Sequence, residues 1–275
     1  MKAIVFVVLA VVGATFASED ASSRITGGTA TLPGQFPAAV SIDSPYNLHC
    51  GGTIINLRHI LTAASCVMHP TSHTLINPFW LRVIAGDVNL VTSSIRREIR
   101  NVTHLFVHPN YNRNTFNNDL AVLRVNTPFP EIHNTIEPAI GNTRVLPDST
   151  QCQYAGWGAN TNAANAPLNP IQRVVNVPTL STAVCNAANV HANRVLSTMI
   201  CAGSVAATPN TVCQGNAGGG LFCNGQLTGV LSFGMGCGAA NQPGVYIDIR
   251  QYRQWINAQF TRTDNPAPGW TPQPL

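Results

Sequence analysis

Charge is the scarcest commodity in this sequence. Only 9% of its 275 residues are Asp, Glu, Lys or Arg, and the net charge of +4 is scattered along the chain. Arg96 and Arg97 form the one notable basic pair. A dedicated nucleic-acid surface needs a denser basic stripe, so no nucleic-acid partner is expected. Close Cys-x-x-Cys pairs are also lacking, which argues against zinc, and no other metal site or cofactor is expected. Beyond the amino-terminal segment no apolar run approaches the ~20 residues that cross a bilayer, so no membrane anchor is expected once that segment is removed. No internal repeat of fixed period is present.

What is present begins with a leader. Residues 2–17 open on Lys2, continue as the apolar run from Ala3 to Val12, and close on small residues around Thr15-Phe16-Ala17. That order reads as a secretory signal peptide cut after Ala17. The alternative, an uncleaved anchor, has an apolar stretch several residues too short. Export to an oxidising compartment changes the reading of the eight cysteines, Cys50, Cys66, Cys152, Cys185, Cys201, Cys213, Cys223 and Cys237. The even count fits four disulfides, although eight cysteines allow 105 pairings and the residues alone select none. Asn101-Val102-Thr103 is a glycosylation acceptor if exposed, and such triplets also arise by chance.

From residue 25 to about Tyr246, short β-branched runs alternate with Gly, Pro and Asn clusters, as in all-β sandwiches and barrels. Examples are Ala38 to Ile42, Gly52 to Ile55, Leu81 to Ala85, Leu120 to Val125, Arg173 to Val177 and Gly244 to Ile249. The clearest hairpin joins Leu221-Phe222-Cys223 to Gln226–Phe233 through Asn224-Gly225, a pair suited to the positive φ angles of a tight turn. Tyr252, Trp255, Ile256 and Phe260 share one face at helical spacing, predicting a carboxyl-terminal helix over 252–260 that docks on a barrel. The Ala-rich stretch from Thr182 to Asn193 also reads as helix. Residues 126–147 read as a connector between two halves. The tail from Thr261 to Leu275 carries four prolines and reads as disordered.

Three segments matter together: Leu61-Thr-Ala-Ala-Ser-Cys66, Asn118-Asp-Leu-Ala-Val-Leu123 and Cys213-Gln-Gly-Asn-Ala-Gly-Gly-Gly220. Their order and spacing resemble the chymotrypsin/trypsin family of serine proteases, whose motifs read TAAHC, DIAL and GDSGGP. Cys50-Gly51-Gly52, Gly156-Trp157-Gly158, Pro243-Gly244-Val245-Tyr246 and the Arg24-Ile25 junction, similar to a zymogen cleavage site, support the match. The resemblance covers about Arg24 to Phe260. It implies two packed six-stranded antiparallel β-barrels with the site between them. The expected organisation is a signal peptide at 1–17, a short propeptide at 18–24, barrels at about 25–135 and 145–250, the helix at 252–260 and the tail at 261–275. The resemblance also implies the pairings Cys50–Cys66, Cys152–Cys223, Cys185–Cys201 and Cys213–Cys237.

The departures from the family pattern fall on the chemistry. Triad catalysis needs a nucleophile, a base titrating near neutrality and a carboxylate to orient it. Only Asp119 survives. Ser65 stands at the base position, where a hydroxyl is too weak an acceptor, and Ala217 stands at the nucleophile position with no side-chain oxygen. His59 and His49 are not placed to substitute. The separate departures at Ser65, Asn216 and Gly220 argue against a single engineered inactivation. Asn216 stands where the family has the aspartate that pairs with the amino group freed by cleavage, and an amide offers that ammonium no charge, so cleavage after Arg24 is expected to order the domain weakly or not at all.

Gly215 and Ala217 still carry the oxyanion-hole N–H groups, and Ser232-Phe233-Gly234 resembles the strand that pairs with substrate backbone. Thr211 stands at the pocket base, with Gly234 and Gly244 as open walls, so an apolar or aromatic side chain would enter. The family's calcium loop falls near Asp87 to Glu98, with too few carboxylates for a hard cation. The plainer reading of Asp119 is a carboxylate hydrogen-bonded to Ser65 or Ser232, and of Gly218–Gly220 a turn.

The expectation is therefore a secreted, non-catalytic, arthropod-like serine protease homologue. It would bind an extracellular protein, a protease or its substrate, as regulator or decoy in a protease cascade, although no clip-type cysteine module precedes it. The alternatives are a weak serine endopeptidase and an extracellular carrier or surface-binding protein.

Overall fold

The computed structural model describes residues 28–46, 48–131, 133–159, 167–208, 211–213, 215–234 and 236–262. The leader at 1–17, the Arg24–Ile25 junction and residues 263–275 of the tail lie outside the described residues.

Six strands close the first barrel: β2 (Ala39–Asp43), β3 (Cys50–Asn56), β4 (His59–Thr62), β5 (Arg82–Ala85), β6 (Glu98–Val107) and β7 (Ala121–Val125). They run in the spatial order β2-β3-β4-β7-β6-β5, all pairs antiparallel, with β5 returning to β2. Val40, Ile42, Ile54, Ile60, Leu61, Val83, Val122 and Leu123 fill it. The second barrel contains β8 (Gln151–Gly156), β9 (Arg173–Leu180), β10 (Met199–Ala202), β11 (Gly220–Cys223), β12 (Gln226–Phe233) and β13 (Gly244–Asp248). The order β9-β10-β13-β12-β11-β8 is closed by β8 pairing with β9. The two six-stranded antiparallel barrels implied by the resemblance are thus both present. Closure leaves no long unpaired strand edge for another chain to add to.

The β11–β12 hairpin turns on Asn224 and Gly225 at φ 52° and 75°, both left-handed as a two-residue turn of this twist requires. The described residues of 126–147 contain no strand, in line with their Pro and Asn content. The Ala-rich stretch does not form one helix. Only α1 (Thr182–Cys185) is helical, capped by Ser181, whose Oγ accepts from the Val184 N–H at 3.2 Å. Beyond it Asn186 brackets Val195, accepting from its N–H at 2.9 Å and donating Nδ2–H to its carbonyl at 2.8 Å. Ala192 and Asn193 then adopt φ of 49° and 62°, which no helix tolerates.

The chain ends cross over. The short strand β1 (Thr29–Ala30) adds to β9 of the second barrel before the chain enters the first. Arg173 donates to the Gly28 carbonyl, and Thr31 Oγ donates to Gln172 Oε1 at 2.8 Å. At the other end a 3-10 turn (Ile249–Tyr252) leads from β13 into α2 (Arg253–Gln259), the expected terminal helix. Its flank packs on the first barrel: Tyr252 and Trp255 meet the His108 ring at 5.3 and 5.0 Å, and Phe260 lies 5.2 Å from His59. Burying side chains such as Ile256 contributes about 1.5–3 kcal/mol each.

Four disulfides are formed, with the pairings Cys50–Cys66, Cys152–Cys223, Cys185–Cys201 and Cys213–Cys237. Two of them brace the segments where the site residues lie. Closing loops of these lengths contributes about 3–4 kcal/mol each in the chain-entropy account.

Candidate active site

β4 delivers a 3-10 turn (Ala64–Val67) that carries Ser65, and the Cys50–Cys66 bridge pins that turn to β3. Asp119 sits at the entry to β7 and is 0% exposed. One carboxylate oxygen, Oδ1, accepts from the Ser65 N–H at 2.7 Å. The other accepts from Ser65 Oγ at 3.0 Å and from Ser232 Oγ, on β12, at 2.6 Å. Ser65, Asp119 and Ser232 are therefore brought together, and both hydroxyls proposed as Asp119 partners take part. Burial pushes the Asp119 carboxyl up to about 6, against these hydrogen bonds, which favour the charged form.

The Cys213–Cys237 bridge holds the loop that contains Gly215, Asn216 and Ala217. The Ala217 carbonyl accepts from the Gly51 N–H at 2.8 Å and lies 3.4 Å from Cys66 Sγ, one residue from Ser65. The N–H groups of Gly215 and Ala217 make no hydrogen bond among the described residues. Gly218 has φ of 83°, and a Cβ there would run into Thr62 Oγ and lie 2.5 Å from the Gly51 carbonyl oxygen. This glycine is required for the loop to rest against the first barrel, and so is more than a loose turn.

Asn216 is 0% exposed. Its Oδ1 accepts from the Gly158 N–H at 3.0 Å, its Nδ2 donates to the Cys213 carbonyl at 2.9 Å, and its own carbonyl accepts from the Tyr154 hydroxyl at 2.5 Å. A neutral amide is satisfied at both ends here, with donor and acceptor matched to fixed backbone groups.

Among the pocket positions, Thr211 is buried. Phe233 packs between Phe116 and His191, at 5.6 Å from each, with the Arg194 guanidinium 5.0 Å above its ring. The space beside the two expected open walls is occupied. A Cβ on Gly234 would strike the Pro243 carbonyl and approach His191, and one on Gly244 would lie 3.0 Å from the Tyr246 ring. The buried Tyr246 hydroxyl has no hydrogen-bond partner among the described residues.

The histidines considered as stand-ins are held elsewhere. His59 is buried on β4, with Nδ1 2.9 Å from Asn56 Oδ1, and burial lowers it to about 4. His49 lies 3.1 Å from Asp43. Two others went unmarked in the sequence: His69 and His73 line a cavity of about 460 Å³ together with Ser65. His69 follows Ser65 by four residues, a proximity readable from sequence, but the cavity also needs Tyr111, Arg113 and Phe116 from a distant segment.

The loop from Asp87 to Glu98 does not suit a calcium ion. Asp87 faces the Arg97 guanidinium at 3.3 Å and accepts from the N–H groups of Asn89 at 3.1 Å and Ser94 at 2.9 Å. Arg97 also donates to the Asn89 and Thr92 carbonyls, so a side-chain cation already fills the loop, and Glu98 pairs with Arg100 at 2.7 Å. Asn101, on β6, is exposed.

The family model described as Trypsin matches residues 25–256. Serine protease 1 of Canis lupus familiaris is 32% identical over 253 residues, covering 91% of this chain and 96% of that protein. Trypsin-1 of Salmo salar is 33% identical over 258 residues, covering 94% and 98%. Fold, disulfide pairing, site placement and these likenesses agree, and the chain belongs to the trypsin family of serine proteases.

Proposed function

We propose that this chain is a secreted protease homologue without hydrolytic activity, acting by binding an extracellular protein through its cleft. The observation that carries this reading is the coordination of Asp119. Its carboxylate is engaged by two serine hydroxyls and a backbone N–H, with no imidazole bonded to it among the described residues, and the residue at the nucleophile position, its carbonyl 3.4 Å from Cys66 Sγ, is Ala217. A serine hydroxyl has no basicity near neutrality and a methyl group cannot attack a carbonyl, so both proton transfer and acyl-enzyme formation lack their agents. In subtilisin, a different protease, loss of the serine or histidine alone costs about 10⁶ in kcat.

The N–H groups of Gly215 and Ala217, unbonded among the described residues, and the short stretch Ser232–Gly234 of β12 and beyond, past its last pairing with β11, favour docking of an extended peptide from the partner. The partner proposed is a protease or a protease substrate in the same extracellular fluid. Four disulfides fit an oxidising compartment.

The test pairs an assay with a capture. Purified chain, intact and cleaved after Arg24, is offered fluorogenic peptide amides and a fluorophosphonate label, and then used as bait in the native fluid. No turnover, no labelling and enrichment of a protease or its substrate is the expected result. Turnover abolished by Asp119→Ala would make the chain an enzyme, and capture that survives Gly234→Trp would move binding outside the cleft.

A further inference from the structure

We infer that the cavity beside Ser65 is a binding site for a small organic anion with an aromatic or branched aliphatic body. The cavity adjoins the cleft of the protein-partner reading, sharing Ser65 with it, but the inference concerns a free ligand and fails separately from that reading. Leu48, Ser65, Met68, His69, Pro70, His73, Tyr111, Arg113 and Phe116 line an open cavity of about 460 Å³. That volume lies within the roughly 300–1,000 Å³ of small-molecule sites.

The space exists because residue 65 is small. Ser65 has its Oγ turned to Asp119, leaving the room in front of it open. Leu48, Met68, Pro70 and Phe116 give the cavity an apolar body, and Phe116 is braced by Phe233 at 5.6 Å. Such walls favour an aromatic or branched ligand over a polar one by burial alone.

The polar lining is one-sided. It holds Arg113, two histidines and a tyrosine, and no described lining residue is acidic. Arg113 is exposed and forms no salt bridge among the described residues. His69 uses Nδ1 to accept from the N–H groups of Thr71 at 3.2 Å and Ser72 at 3.1 Å, so the proton of its neutral ring sits on Nε2 and can only be donated. Burial, with the Asp119 charge, pushes the Tyr111 hydroxyl up, so it stays a neutral donor. The nearest carboxylate, Asp119, is sealed behind Ser65 and 0% exposed. Donors and a free guanidinium at an apolar cavity complement a carboxylate or sulfonate and leave a cation without a counter-charge.

The probes are 2-naphthoate, 2-naphthamide and 2-naphthylmethylamine, three ligands of one shape and different charge, titrated calorimetrically into the intact chain. Naphthoate is expected to bind one to one, about tenfold tighter than the amide, with no measurable binding of the amine. Arg113→Gln, on the surface, should bring naphthoate down to the affinity of the amide and leave the amide unchanged. Ser65→Leu, which fills the cavity, should abolish both. Equal binding of acid and amide, no naphthoate binding, or naphthoate binding indifferent to Arg113→Gln would each overturn the assignment. So would binding of a peptide bearing naphthylalanine where naphthoate does not bind, which would make the cavity a subsite for a partner's side chain.

Discussion

Ser232 Oγ donates to Asp119 Oδ2 at 2.6 Å, joining a strand of the second barrel to the entry of a strand of the first. The bond holds the two barrels in register through a buried carboxylate that forms no ion pair among the described residues.

That carboxylate makes stability depend on pH in a direction fixed by its shift. The folded value, about 6, lies above the ~3.9 of an unfolded Asp. A group raised on folding contributes stability that is fully present below the unfolded value and is lost as pH rises through the folded one. Asp119→Asn should flatten this profile. Its amide oxygen can still accept from the Ser65 N–H, and the two hydroxyls can turn to accept instead of donate. In urea titrations between pH 4 and 8, the parent should lose about 2–3 kcal/mol relative to the variant as pH rises. Parallel profiles would show that Asp119 does not titrate in this window.

Asn216→Asp should destabilise the intact chain at pH 7 by about 3 kcal/mol or more, since it buries a charge and removes the donor to the Cys213 carbonyl. Cleavage after Arg24 should return part of that loss in the variant and little in the parent, because only the variant offers the new ammonium a counter-charge. Denaturant midpoints of the four species decide it, and a parent strengthened as much as the variant would refute it.

Gly218→Ala should cost about 3 kcal/mol or more, combining a left-handed φ of 83° with a clash against Thr62 and the Gly51 carbonyl. Chemical denaturation measures this. A loss below about 0.5 kcal/mol, the range of an ordinary surface change, would mean that the loop does not press on the first barrel.

Neither Ser65→His nor Ala217→Ser alone should confer labelling by a fluorophosphonate, because base and nucleophile act as a unit. The double variant, with Asp119 already placed, should label. Labelling of Ala217→Ser equal to that of the double variant would show that another residue serves as base, and labelling of the parent or of Ser65→His would show that another residue serves as nucleophile.

What local pattern governs was readable from the residues. Asn224-Gly225 fixed a hairpin because two left-handed residues admit few alternatives, and the face Tyr252, Trp255, Ile256 identified the terminal helix. The Ala-rich segment misled because alanine raises helix propensity everywhere, whereas Asn186 and Cys185 are tied to partners, Val195 and Cys201, that lie outside the segment. Strand β6 was not singled out, since Arg100, Asn101 and His104 interrupt its apolar residues on a strand half open to water. At the site, motif spacing located Ser65, Asp119 and Ala217. The cavity beside Ser65 was invisible, because Leu48, His69 and Arg113 meet only through long-range packing.

The crossed ends described above bear on how the protein is made. A ribosome releases β1 long before its partner β9, and releases the first barrel long before Tyr252, Phe260 and Arg262 arrive to cover His108, His59 and Phe106. The first barrel cannot finish its surface until residues 252–262 have emerged. A stretch made after the second barrel thus completes the first, so a nonsense change near residue 250 would damage the barrel encoded furthest from it, and the nascent chain depends until then on whatever shields apolar surface.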